Sequence, residues 1–215
     1  MASRIAARPL IVLFAKAPLP GHAKTRLQRR LTAAQTVALQ IALVSDMLEM
    51  LQSGFPDADL ELHTDQPTEA WARYGTAHRL QAPGDLGARL LTALAGGLGE
   101  GRPQVAVLGS DAPTLPVAHV RALLQFQTDV ALGPASDGGY YGISCRKTHP
   151  RMFDGVAWSG PDTFSGTWQA VQSSGLTVAA GPEWFDVDTP EDLDRLLQQP
   201  GLPRHTAAWR DSLRG

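Results

Sequence analysis

Gln104-Val-Ala-Val-Leu-Gly-Ser-Asp-Ala-Pro-Thr-Leu-Pro116 is an apolar, β-branched run that halts at Gly109-Ser110-Asp111 and then meets two prolines. Such a run is a buried strand, and it delivers one carboxylate, Asp111, to its carboxyl end. In open α/β sheets ligands bind in the crevice beyond the carboxyl ends of the strands, which puts Asp111 where chemistry is usually done. Pro113 and Pro116 stop the strand and stiffen the turn. Asp111 could instead cap a helix starting near Val117, but Val117 lies six positions on. A carboxylate at the end of a buried strand needs a partner or a metal.

Upstream, Leu10-Ile-Val-Leu-Phe-Ala15 is a second continuous apolar run, the pattern of a central parallel strand covered on both faces. Behind it, Lys16-Ala-Pro-Leu-Pro-Gly-His-Ala-Lys-Thr-Arg-Leu27 sets two prolines, Gly21 and the cations Lys16, Lys24 and Arg26 between strand and helix. Such a loop can hold cations and backbone N–H groups towards an anion, or be a solvated basic loop. Its position directly after the first strand favours a phosphate. It is not a P-loop, because Gly21 stands alone three residues before Lys24. Val37, Ile41, Val44, Leu48 and Leu51 then alternate steps of four and three, predicting a long amphipathic helix over 32–53 with Met47 and Met50 as core. A strand over 60–63, a short helix over 68–74, a strand over 78–81 and a helix entered through Pro83-Gly-Asp-Leu-Gly-Ala-Arg-Leu90 come next. Gly87, early in that last helix, leaves room for something to approach the backbone.

Downstream, a helix over 117–126 and a strand over 129–133 lead into Gly133-Pro-Ala-Ser-Asp-Gly-Gly-Tyr-Tyr-Gly-Ile143. Asp137-Gly138 between two β-like runs is a hairpin signal. Two glycines followed by Tyr140 and Tyr141 also make a loop whose backbone can approach a ligand and whose rings can line a pocket, and both readings can hold together. A helix over 164–174, N-capped by Asp162 or Thr163, precedes a strand over 176–180. In Trp184-Phe-Asp-Val-Asp-Thr-Pro-Glu-Asp-Leu193, Thr189 reads as an N-cap before Pro190 at the first helical position. Asp186 and Asp188 remain, on one face of an extended segment. Two such carboxylates repel unless a cation lies near them.

Strand and helix alternate along the chain, the mark of an α/β fold. The expected organisation is one domain over 1–200, with 201–215 a C-terminal tail or short helix. A chain of 215 residues can bury about 70% of its unfolded surface in one core. A net charge of -2 gives no global attraction to nucleic acid or anionic membrane. One cysteine, Cys145, excludes an internal disulfide and a thiolate zinc site. The apolar run ending at Ala15 is too short to span a bilayer, and Lys16 with the prolines after it does not resemble a cleavage site, so a cytoplasmic location is expected. No Gly-x-Ser-x-Gly elbow occurs, and no Gly-x-Gly-x-x-Gly comes after a strand. Six histidines are scattered without metal-ligand spacing, and His22 alone falls in a candidate loop. Three aspartates after strands, with a cationic loop, point to a divalent ion and a phosphate-bearing ligand. Oxygen-only ligands select Mg2+ or Mn2+ over zinc.

Five segments also carry a resemblance: residues 14–27, Gly84 to Leu90, Gly109 to Pro116, Gly133 to Tyr141 and Asp186 to Leu193. In that order they resemble the motifs of a bacterial family of nucleotide-diphospho-sugar transferase-like proteins with the GT-A fold, often named glycosyltransferases or "transferase 1". The likeness runs from about residue 9 to residue 196. It implies a Rossmann-like GT-A domain with a mainly parallel sheet and helices on both faces. By it, Asp111 stands at the metal-binding aspartate. The Asp186-Val-Asp-Thr-Pro190 segment is similar to one that completes the metal site of molybdenum-cofactor guanylyltransferases, which nominates Asp188 with Asp186 beside it. Lys24-Thr-Arg-Leu27 is similar to the Lys-Ser-Arg-Leu of phospholactate guanylyltransferases, where basic residues meet triphosphate. The chain lacks the Gly-Gly-rich first loop of most such nucleotidyltransferases.

The expected activity is metal-dependent transfer from a nucleotide-activated donor to a small-molecule acceptor, with sugar transfer from an NDP-sugar ahead of nucleotidyl transfer from a triphosphate. A nucleotide-binding protein without turnover is the reading from another class. The candidate metal ligands are Asp111, Asp186 and Asp188, and the candidate catalytic residues are Asp111 and Asp137. The candidate nucleotide and substrate contacts are Lys16, Gly21, Lys24, Arg26, Asp85, Gly87, Gly138, Gly139 and Tyr140.

Overall fold

The two apolar runs lie side by side in the middle of one sheet. In the computed structural model, which describes residues 7–213, β1 (Leu10–Ala15) is joined through helix α1 (Ala33–Gly54) to β2 (Asp59–Thr64), which pairs with it in parallel. β3 (Ala77–Leu80) adds a parallel edge, and α2 (Leu86–Gly99) carries the chain back to β4 (Val105–Gly109) on the other side of β1. Helix α3 (Val117–Gln125) leads to β5 (Val130–Pro134), which folds back on β6 (Tyr140–Cys145). β6 inserts antiparallel between β4 and β5. After α4 (Thr163–Ser173), β7 (Val178–Ala180) pairs in parallel with β5, and α5 (Pro190–Leu197) and α6 (Arg204–Ser212) end the described chain. The seven strands run in the order β3-β2-β1-β4-β6-β5-β7. Connections leave β1 towards β2 and enter β4 from β3, so the crevice where strand order reverses opens between β1 and β4.

Both faces are covered. Val44, Met47, Leu48 and Leu51 of α1 and Val120 and Leu123 of α3 bury Ile11, Leu13 and Leu108 on one face. Leu90 and Leu94 of α2 and Val171 of α4 bury Leu10, Val12, Val107 and Ile143 on the other. Each such side chain contributes roughly 1.5–3 kcal/mol by leaving water. A third cluster joins Leu27, Leu39 and Leu43 to Phe185, Val187, Leu193 and Trp209, tying the first loop, α1, α5 and α6 together. Met47 is core as expected and Met50 half so. By length and composition α1 could cross a membrane, but 61% of that window is buried inside the fold.

Local chemistry fixes the helix ends. Thr32 and Gln35 form a reciprocal capping box on α1, and Thr189 and Asp192 form another on α5, with Pro190 at the first helical position as expected. The segment 68–74, expected to be a short helix, makes only a single 3-10 turn over Ala72–Tyr74. Asp162 stands at the N-cap of α4 but its side chain makes no cap bond. Thr163 turns its hydroxyl back to Ala157 O and Gly160 O, both at 2.9 Å, which closes the preceding loop. Cys145 is fully buried in β6, and burial pushes its thiol pKa up.

Candidate active site

Three segments converge beyond the carboxyl ends of β1 and β4. The first loop enters through a turn at Gly21 (φ 74°) and is held by His22, whose Nε2 lies 2.6 Å from Asp65 Oδ2 after β2. Asp65 Oδ1 accepts from Ala17 N at 2.8 Å, so one carboxylate grips both ends of the turn. The segment bearing Asp186 and Asp188 lies along the β4 loop, with Val187 N donating to Asp111 O at 2.9 Å. Period-two alternation buries Phe185 and Val187 and turns Asp186 and Asp188 to the cleft. The backbone N–H groups of Asp188 and Thr189 are then held by Asp192 Oδ2 at 3.2 and 2.9 Å.

Lys24 is the knot of the site. Its Nζ lies 2.7 Å from Asp111 Oδ1, 3.3 Å from Asp188 Oδ1 and 2.7 Å from Val187 O, and its side chain is 3% exposed. Burial alone would lower its pKa, but Asp111 and Asp188 outweigh burial and hold it above the ordinary lysine value. Arg26 reaches Asp188 Oδ2 at 3.8 Å and is mostly exposed. Asp186 is relieved too little, because the pull of Lys24 on it is weaker than the effects opposing ionisation. Its Oδ1 is buried without a hydrogen-bond partner, and its pKa is raised to about 7, first by burial and then by Asp111 and Asp137.

A cleft of about 330 Å3 opens over these groups, lined by Arg26, Leu86, Asp137, Gly139, Tyr140, Ser159, Pro161, Asp186 and Asp188. That is the lower end of the range for small-molecule sites. The Asp137-Gly138 turn is the β5–β6 hairpin, and Asp137 Oδ1 accepts from Gly139 N at 2.9 Å. Gly138 has φ 89° and lies so close to Pro161 that a Cβ would sit 2.0 Å from its carbonyl oxygen, while Phe164 N donates to Gly138 O at 2.8 Å. The hairpin tip and the 158–163 loop therefore form one wall. Among the described residues the non-glycine positions with positive φ are Lys24 (54°), bound to Asp111 and Asp188, and Ser159 (63°), in the cleft wall. Strained backbone of this kind clusters at functional sites.

The structure brings Asp111, Asp137, Asp186, Asp188, Lys24, Arg26, Gly139 and Tyr140 into or against this cleft. Lys16 is exposed at the start of the loop, and its carbonyl accepts from Gln40 Nε2. Asp85 is the N-cap of α2, accepting from Ala88 N at 2.8 Å. The approach that Gly87 permits is made by Trp158, whose ring would lie 2.8 Å from a Cβ there. Tyr141 leaves the pocket for the core, stacking over Gly133 and donating to Pro182 O at 3.0 Å. Ser159, Pro161 and Leu86 were not foreseen. They belong to the loop that leads into α4 and to the first turn of α2, where nothing in the residue types marks a cleft wall.

Among the described residues, the acidic group whose ligand atoms come within 4.8 Å of one another is Asp46, Glu49 and His205, and not the cleft's Asp111, Asp186 and Asp188. Its oxygens are already engaged. Asp46 accepts from His205 N, Thr206 N and Thr206 Oγ1, at 2.8, 2.8 and 2.6 Å, and so caps α6. Glu49 takes the Arg204 and His205 side chains.

Residues 26–160 match the model of a family described as an uncharacterized protein conserved in bacteria (DUF2064). The chain belongs to this family. The DUF2064 match includes Asp111 and Asp137 and ends before Asp186. The DUF2064 chain also resembles a crystal structure from Desulfovibrio desulfuricans G20, provisionally named a nucleotide-diphospho-sugar transferase, with 30% identity and a TM-score of 0.85. The alignment spans 97% of this chain and 96% of that one. More distant matches share the fold alone. An inositol-1-phosphate CTP transferase from T. maritima matches at 12% identity and TM-score 0.54, over 87% of this chain and 91% of that one. A nucleotidyl transferase from Methanothermobacter thermautotrophicus (Mth528) matches at 12% and 0.57, over 87% and 95%. Among curated proteins nothing matches significantly. The fold is thus that of nucleotide-diphospho-sugar transferases and nucleotidyltransferases, with a mostly parallel seven-stranded sheet.

Proposed function

We propose that this protein is a divalent-metal-dependent transferase that takes a nucleotide-activated donor, an NDP-sugar, and passes the sugar to a small-molecule acceptor. The observation that carries this reading is the charge of the cleft. Among the described residues, the cations set against Asp111, Asp137, Asp186 and Asp188 are Lys24 and Arg26, and both are already turned to Asp188 or Asp111. A diphosphate entering such a site is repelled unless a further cation comes with it. The partnerless Asp186 Oδ1 supports a ligand role for that oxygen, and an all-carboxylate donor set suits Mg2+ or Mn2+. Asp111, Asp186 and Asp188 would hold the ion, which supplies charge neutralisation to a departing diphosphate. The 30% identity to a protein provisionally named a nucleotide-diphospho-sugar transferase favours sugar over nucleotidyl transfer.

The chain's own residues supply the rest. Arg26, 64% exposed at the cleft mouth, is free to rotate towards a phosphate oxygen. Gly139 lines the cleft with its backbone, Gly138 lets the hairpin dock on Pro161 behind it, and Tyr140 gives that wall a flat apolar ring. Asp137, whose Oδ1 is fixed by Gly139 N, is the group placed to take a proton from an acceptor hydroxyl.

Thermal-shift assays with nucleoside mono-, di- and triphosphates and nucleotide-sugars, each with and without Mn2+, test this directly, because a ligand stabilises in proportion to its occupancy. A Mn2+-dependent shift with one nucleotide-sugar, followed by release of free nucleoside diphosphate when acceptors are added, is the expected outcome. Pyrophosphate release from a triphosphate would identify a nucleotidyltransferase. Binding without any product over hours would identify a nucleotide-binding protein.

A further inference from the structure

Lys24 holds the oxygen atoms that a metal would need. Its ammonium donates to Asp111 Oδ1 at 2.7 Å, Asp188 Oδ1 at 3.3 Å and Val187 O at 2.7 Å. An ammonium has three protons, so all are spent within the chain and none is left for a phosphate. Magnesium binds carboxylate oxygens at about 2.0–2.1 Å, and a positive charge one hydrogen bond from those oxygens opposes it. Two further observations point the same way. Asp186 Oδ1, across the same cluster, is buried with no partner at all. Lys24 itself sits in the left-handed backbone region, which residues other than glycine hold only when their surroundings impose it.

Resting on the metal-dependent reading above, we propose that Lys24 is an internal stand-in for the divalent ion. Its ammonium and the metal compete for Asp111 and Asp188, and metal entry releases Lys24 into the cleft beside Arg26 as a ligand for the donor's phosphates. The metal-free protein thereby keeps its carboxylates neutralised, and the site gains its second phosphate-binding cation only once the metal has arrived. Lys24 acts on the metal through two aspartates, so it is a positioning residue in one state and a substrate contact in the other.

The test uses the full chain and Mn2+ alone. Binding to wild type and to Lys24→Met is followed by titration calorimetry and by electron paramagnetic resonance of free Mn2+. The substitution should tighten Mn2+ binding at least tenfold. A second measurement needs no variant. The chain has only three lysines, Lys16, Lys24 and Lys147. Lys16 is exposed and the Lys147 side chain is 70% exposed, so both are internal controls for reductive methylation read by mass spectrometry. Lys24 should be protected in metal-free protein and methylated at least fivefold faster with saturating Mn2+, while the controls do not change. If Mn2+ binds wild type but Lys24→Met binds it equally or more weakly and Lys24 stays protected, the competition is refuted and the metal-dependent reading stands. If neither protein binds Mn2+, both fall. Should Lys24→Met not fold, the methylation of wild type decides alone.

Discussion

Asp186 makes its state visible through pH. Its pKa of about 7, raised first by burial and then by Asp111 and Asp137, compares with about 3.9 in an unfolded chain. Between these values the folded protein keeps a proton that the unfolded chain releases. The contribution of this carboxyl to the stability of the metal-free protein is therefore fully present below about pH 4, falls as the pH rises to about 7, and is flat above. Asp186→Asn removes this loss. We expect it to stabilise the protein at pH 8 in EDTA by on the order of 2 kcal/mol and to have little effect at pH 4. Urea unfolding at the two pH values measures the difference. A loss of stability at both would mean that the carboxylate is a structural partner and not a ligand held ready for a cation.

Among the elements, the β5–β6 hairpin sets the cleft wall, and Gly138 is where it can be broken. An alanine there meets the Pro161 carbonyl at 2.0 Å and must hold φ 89°. Gly138→Ala should cost roughly 2–4 kcal/mol, or else push the 158–163 loop away and open the cleft. Either outcome should reduce turnover, whereas Gly160→Ala, with nothing near its Cβ position, should be close to silent in a urea melt. An unchanged melt for Gly138→Ala would show that the hairpin is not docked on that loop.

This hairpin also marks how far the sequence could be read. Continuous apolar runs identified β1 and β4 because strands buried on both faces need apolar residues throughout. Asp137-Gly138 signalled a reversal because that turn demands positive φ. The helix expected over 68–74 failed because seven residues are too few to nucleate one without more than local help. At the site, the segments that end on Asp111, Asp186 and Asp188 were legible as carboxylates with no local partner. The partner of Asp111 and Asp188 was not, since Lys24 and Asp188 are 164 residues apart and only the sheet brings them together. Asp85 and Gly87 drew notice as glycine-rich helix-entry chemistry and serve as cap and packing clearance, while Ser159 gave no local signal of its left-handed backbone.

For the molecule as a whole, the expected boundary near residue 200 meets a C-terminal helix that is tightly engaged. Asp46, 4% exposed in α1, spends both oxygens on the first turn of α6. Trp209 is buried in the third cluster and donates to Gln35 O at 3.1 Å. A chain ending at residue 200 would leave a buried carboxylate without donors and bare the apolar face of α1. We expect it to lose at least about 3 kcal/mol and, because α1 and the first loop share that cluster, to bind nucleotide more weakly. A truncated chain as stable as the full one would show α6 to be dispensable. Cys145 has a practical consequence of another kind. Since the single thiol is locked inside the sheet, the native chain is blind to maleimides, and a cysteine introduced at exposed Leu19 would be labelled alone. A dye at that position, on the loop that carries Lys24, would turn the arrival of the proposed metal and donor into an optical signal that stopped-flow mixing could order in time.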